Sequence, residues 1–146
     1  MYLFRLLLKL KNIIIINIYI FFVKSVNGYK TRLNYRKIGF IYAVDKKMLY
    51  MMKILIKDGV EPNMWGDYAI KNAVKNNNVL MVKLLLKELI VNPSATENFA
   101  VRFAFKNGSK EILEMLIADD RVLSTLPSDD YQLYNKLVLS KKLLNF

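Results

Sequence analysis

YAIKNAVKNNNVLMVKLLL (68–86) and FAVRFAFKNGSKEILEMLI (99–117) are two versions of one pattern. Tyr68 lies over Phe99, Ala69 over Ala100, Ile70 over Val101 and Lys71 over Arg102. Ala73 lies over Ala104, Lys75-Asn76 over Lys106-Asn107, and Leu84-Leu85-Leu86 over Met115-Leu116-Ile117. The offset is 31 residues throughout. Self-similarity at a fixed period of this size is the signature of a stacked repeat architecture. Two unrelated amphipathic helices would share apolar positions; they would less readily share the alanine, the Lys-Asn pair and the apolar triplet at one offset.

A third copy, AVDKKMLYMMKILIKDGVEPN (43–63), precedes these with Ala43 and Ile54-Leu55-Ile56 displaced by 30 residues. The offset grows to 31 afterwards because KDGVEPN is one residue shorter than KELIVNPS, a change that belongs in a loop. Each copy carries two helical patterns. The first places Ile70, Ala73 and Val74, or Val101, Ala104 and Phe105, at i, i+3, i+4. The second places Leu80, Met81, Leu84 and Leu85 in register with Glu111, Ile112, Met115 and Leu116. Gly108 and its counterpart Asn77 fall between the helices, where left-handed backbone is needed. A helix pair of this size cannot bury its apolar faces alone, so successive pairs must stack. Ala43, Ala73 and Ala104 mark where the backbones approach too closely for a larger side chain.

The tail ILIKDGVEPN, with an apolar triplet, two residues, Gly59 and a turn closing on Asn, resembles the ending of an ankyrin repeat. GDYAIKNAV, from Gly66 to Val74, is similar to that family's G-x-T-P-L-H-x-A-A, and AFKNGSKEILEMLI (104–117) to its A-A-x-x-G-H-x-E-V-V-x-L-L-L. Tyr68 and Phe99 replace the family's Thr, Ala69 and Ala100 its Pro, and Lys71 and Arg102 its His. The resemblance therefore implies that the hydrogen bonds which Thr and His usually give the turn are missing here. Degenerate repeats of this kind look like the ankyrin-like proteins encoded in large numbers by giant DNA viruses, and the abundance of Ile, Asn, Lys, Tyr and Phe agrees with an AT-rich genome. The fold implied is all-α: a helix-turn-helix repeat solenoid of about three units over 38–130, with a degenerate terminal repeat or cap over 131–146. In that last stretch Leu133, Leu137, Val138 and Leu144 share one apolar face.

Ahead of the repeats, 1–25 reads as a hydrophobic helix and 26–37 as a basic linker with the turn signal Asn27-Gly28. Leu6 to Val23 has the length of a minimal membrane span but contains Lys9, Lys11, Asn12 and Asn17. A membrane segment, a signal peptide and a helix capping the stack all fit that stretch. The formal net charge of +11 resides there too: residues 1–57 hold 12 of the 23 cations and one acid, Asp45, whereas 58–146 hold equal numbers of each sign.

No catalytic constellation is present. The chain has neither His nor Cys, which removes thiol nucleophiles, His general bases and the common zinc ligands. Asp119-Asp120 and Asp129-Asp130 read as loop and helix-start acids. No metal, cofactor or small-molecule substrate is expected. A nucleic acid is disfavoured as partner, because the repeats are charge-balanced; Lys30, Arg32, Arg36 and Lys37, with Tyr29 and Tyr35 among them, are the residues such a reading would use. The expected function is non-catalytic protein–protein binding by a scaffold, in the host-cell cytoplasm or, as a membrane-tethered adaptor, with the repeats on the cytoplasmic side. Trp65 is the expected anchor, being the only Trp and lying at a turn, with Asp67, Lys71, Glu97 and Arg102 around it. Gly59, Gly66 and Gly108, with the three alanines, are the expected structural positions.

Overall fold

A computed structural model describes residues 14, 16–18 and 29–125, and the secondary structure in those residues is helical. Within residues 29–125 seven helices follow in order: α1 (Tyr29–Asp45), α2 (Leu49–Lys57), α3 (Met64–Lys75), α4 (Val79–Leu86), α5 (Ala95–Lys106), α6 (Lys110–Ile117) and the single turn α7 (Asp120–Leu123). The chain divides into two compact units between Glu61 and Pro62. In the first, α1 packs on α2. In the second, α3 packs on both α4 and α5, α5 on α6, α4 on α6, and α6 on α7.

The turn inside each helix pair is the same structure three times. The N–H of Met48 donates to the Ala43 carbonyl at 2.8 Å, that of Asn78 to Ala73 at 2.8 Å, and that of Ser109 to Ala104 at 2.9 Å. One residue earlier, Lys47, Asn77 and Gly108 donate to Val44, Val74 and Phe105. These paired bonds close the first helix and require a left-handed residue. It is Lys47 (φ 56°), Asn77 (φ 49°) and Gly108 (φ 65°) in turn. Asn77 and Gly108 are left-handed between their helices, and the upstream copy places a lysine where a glycine would be strain-free.

Ala43, Ala73 and Ala104 are fully buried, each four residues before its left-handed turn residue. Around them α3 buries Ala69, Ile70 and Val74, and α5 buries Ala100 and Val101. The second helices bury Met51, Met52 and Leu55 in α2, Met81, Val82 and Leu85 in α4, and Ile112, Leu116 and Ile117 in α6. This corrects the expected face of the second helix. Leu80 is 65% exposed, and its counterparts Tyr50 and Glu111 are exposed too, because the buried stripe is centred on 81, 82 and 85. Phe105 also remains partly outside, the ring being larger than the Val74 it replaces.

A second correction concerns 26–37. The structure carries α1 back to Tyr29, immediately after the Asn27-Gly28 signal, so most of the expected linker is helix. Nothing in the stretch breaks a helix: it has no Pro, and half-buried Leu33 and Arg36 lie on the side that continues into Phe40, Ala43 and Val44. The Arg36 guanidinium donates to the Asp58 carbonyl at 3.2 Å and sits 4.0 Å from its carboxylate, tying α1 to the end of α2. One of the four cations that a nucleic-acid reading would use is therefore engaged in the fold. The hydrophobic stretch 1–25, apart from residues 14 and 16–18, and the expected cap 131–146 lie outside the described residues. Ile16 is buried, while Ile14 and Ile18 are exposed. No helix among the described residues is long and apolar enough to cross a membrane.

Candidate interaction surface

The turns entering α3 and α5 decide what this chain presents to solvent. Trp65, Gly66 and Asp67 are all left-handed (φ 52°, 61° and 57°), and Thr96, Glu97 and Asn98 repeat the conformation 31 residues later (φ 57°, 53° and 57°). Right-handed helix begins only at Tyr68 and Phe99. Left-handed geometry costs a non-glycine residue about 1–2 kcal/mol, so each turn needs compensation. It comes from the last residue of each triplet. Asp67 is 8% exposed and Asn98 4%. The Asp67 carboxylate accepts the Asn92 N–H at 2.7 Å. Asn98 donates to the Thr125 carbonyl at 2.9 Å and accepts from the Thr125 hydroxyl at 3.1 Å. Each side chain thus ties its own turn to the turn after it.

Burial pushes the Asp67 carboxyl above its ordinary range, against the opposing pull of the Asn92 N–H and the charge of Lys71. This buried strut corrects the expectation that Asp67 stands on a binding rim. It also corrects the expectation that the turns lack hydrogen bonds. The residue before the family's Thr position supplies them, and Lys71, at the family's His position, donates from Nζ to Thr96 Oγ1 at 3.2 Å.

The loop between α4 and α5 has its own support. It holds the extra residue and has no glycine to close the helix, leaving carbonyls without helical partners. Arg121, from α7, fills them: its guanidinium donates to the carbonyls of Leu86 (2.9 Å), Glu88 (3.2 Å), Leu89 (3.4 Å) and Val91 (2.8 Å). The same group donates from Nε and Nη2 to the Asp119 carboxylate at 2.8 and 2.6 Å. Those side-chain bonds hold the Asp119 carboxyl below its usual range although burial pushes it up. Asp119 is consequently an orienting residue for Arg121, in place of the solvated loop acid expected. The loop so fixed presents Leu89 (92% exposed) and Ile90 to solvent.

Of the remaining expected residues, Trp65 is 62% exposed. Glu97 and Arg102 are exposed and pair loosely at 3.8 Å. Lys71 is half-covered and lies beside Gly66. All five expected residues belong to the α3 and α5 turns and helices. Asn98, Arg121 and Thr125 were not singled out from the sequence. Asn98 was detectable, since aligning the copies one residue further upstream places it over Asp67 as a second Asx residue.

Residues 40–124, more than half of the chain, match the family model for ankyrin repeats in three copies. The chain belongs to the ankyrin repeat family. No curated protein and no solved structure matches it. Ankyrin repeats are a protein–protein interaction module, and in this chain the repeat signature is rebuilt: Asp67 and Asn98 bridge successive turns, and Arg121 completes the loop that lacks a closing glycine.

Proposed function

We propose that this chain is a non-catalytic scaffold whose ankyrin repeats bind another protein through the α3 and α5 turns, with Trp65 as the anchor. The exposure of Trp65 carries this reading. A large aromatic side chain is fixed by a left-handed turn in a position where most of its surface meets water. Aromatic residues so placed are over-represented among those that dominate binding energy. Glu97, Arg102 and Lys71 border the same turns and supply polar contacts; Asp67 holds the turn from inside. The degenerate repeats and AT-rich residue usage support a place in the cytoplasm of a cell hosting a giant virus.

The test is affinity capture from lysate of the source cell, with the native chain and a Trp65→Ala variant compared by quantitative mass spectrometry. A defined protein retained by the native chain should fall by roughly thirtyfold with the variant, the effect of a hot spot worth about 2 kcal/mol. Equal recovery by both would remove Trp65 from the site.

A further inference from the structure

The first helices of the second unit carry the same outward stripe twice. On α3 it is Tyr68, Lys71, Asn72 and Lys75; on α5 it is Phe99, Arg102, Phe103 and Lys106. These are i, i+3, i+4 and i+7, the face opposite the buried Ala69, Ile70, Ala73 and Val74 or their counterparts. Each stripe holds two cations, with one aromatic residue on α3 and two on α5, and neither helix has a carboxylate after its left-handed turn. The two stripes adjoin: α3 packs on α5, and Lys75 Nζ lies 5.3 Å from the centre of the Phe99 ring. Lys75 and Lys106 form no ion pair among the described residues; of the nearby acids, Glu97 pairs loosely with Arg102 at 3.8 Å, and the buried Asp67 carboxyl lies within reach of the charge of Lys71. On α6 the signs are mixed, Lys110 standing with Glu111 and Glu114, and α4 carries a single charge, Lys83. At the matching positions of α1 stand Ile38, Ile41, Tyr42 and Asp45, so the stripe belongs to these two repeats.

We infer that this face binds an acidic, extended segment of the partner protein, its carboxylates meeting Lys71, Lys75, Arg102 and Lys106. This rests on the scaffold reading and specifies the partner's chemistry. The dimensions agree. Cations four residues apart on a helix are separated by about 6 Å along its axis, close to the roughly 6.6 Å between alternate side chains of an extended chain. Packed helices lie about 8–10 Å apart, near the span of three extended residues. The matching segment therefore carries Asp or Glu at spacings of two or three. A nucleic acid also offers negative charge, but it gains much of its affinity on single strands by stacking bases on open aromatic faces. Here Phe99 and Phe103 stack on each other at 5.4 Å, and Lys75 lies over Phe99, so that surface is largely occupied.

The experiment is selection of a displayed library of random twelve-residue peptides against the full chain. Parallel selections use Lys75→Glu/Lys106→Glu, Trp65→Ala, and Lys30→Gln/Arg32→Gln/Lys37→Gln, with helicity and melting checked by circular dichroism. A labelled twelve-nucleotide oligothymidylate is titrated alongside. The expected result is enrichment of peptides with Asp or Glu two or three residues apart. Their affinity should drop at least tenfold with Lys75→Glu/Lys106→Glu and in 0.5 M salt, and hold with the N-terminal variant. Enriched peptides that depend on Trp65 but lack acids would overturn the inference and leave the scaffold reading standing. Peptides indifferent to both Trp65 and the lysines would overturn both. Acidic peptides that depend only on the N-terminal cations, or oligothymidylate bound more tightly than any peptide and lost with Lys75→Glu/Lys106→Glu, would also overturn the inference.

Discussion

At the scale of single residues, the strained turns give the sharpest expectations. Asp67→Ala leaves the Asn92 N–H without its acceptor and should cost about 1–3 kcal/mol, read as a lower denaturation midpoint. Asp67→Asn keeps an acceptor oxygen and removes a charge that burial disfavours, so at neutral pH it should cost under about 1 kcal/mol. Glu97 occupies the left-handed position that Gly66 fills one repeat earlier. Glu97→Gly should therefore raise stability by about 0.5–1 kcal/mol, because the strain relieved outweighs an exposed ion pair and the added chain entropy. The two acids with displaced proton affinity act in opposite directions. Asp119, held low by Arg121, contributes stability that is complete above the ordinary carboxylate range and is lost as pH falls through its lowered folded value. Asp67, raised by burial, binds its proton more tightly folded than unfolded, so acidification between those two values favours folding at this residue. In chemical denaturation from pH 7 down to pH 2.5, Asp119→Asn should flatten the loss of stability on the acid side, whereas Asp67→Asn should steepen it.

At the scale of elements, the helix pairs were legible because their signals are periodic and local. The i, i+3, i+4 apolar positions and the turn residues Asn77 and Gly108 come directly from backbone geometry. What was not legible depends on tertiary neighbours. The outward turn of Leu80 is hidden in a run of apolar residues that fits more than one face. Arg121 reads as an ordinary surface cation until the loop carbonyls around it are known. The α1 extension back to Tyr29 was obscured by basic residues, which suit helices as well as linkers. Arg121 also carries the prediction for this scale. Arg121→Lys keeps the charge but not the planar fork that reaches four carbonyls, and should cost about 2 kcal/mol and increase hydrogen exchange and protease cutting between Leu86 and Asn92. Loss of stability without local exposure of that loop would assign Arg121 a different role. Within the turns, Gly108→Ala meets no clash, since a Cβ there has nothing within 4 Å; its φ of 65° alone should cost about 1–2 kcal/mol.

At the scale of the whole molecule, the repeats divide their work between registration and presentation. Within the second unit, alanine at the helix contacts, an Asx residue bridging successive turns, and Arg121 across the loop hold one repeat on the next, while Trp65, Lys75, Arg102 and Lys106 are left facing water. Enlarging a registration residue should then propagate. Ala104→Leu, inserted into a fully buried helix contact, should cost at least 1–3 kcal/mol, whereas Ala118→Leu at an exposed helix end should be nearly neutral in the same melting assay.

Amide hydrogen exchange followed by nuclear magnetic resonance tests the repeated architecture most directly, because the N–H groups of Met48, Asn78 and Ser109 each close the same turn on a buried alanine carbonyl. All three should exchange roughly a hundredfold or more slowly than free peptide, protection that recurs at intervals of 30 and 31 residues. Exchange of any one of them at the free-peptide rate, with protection shifted to neighbours that break this spacing, would contradict the account.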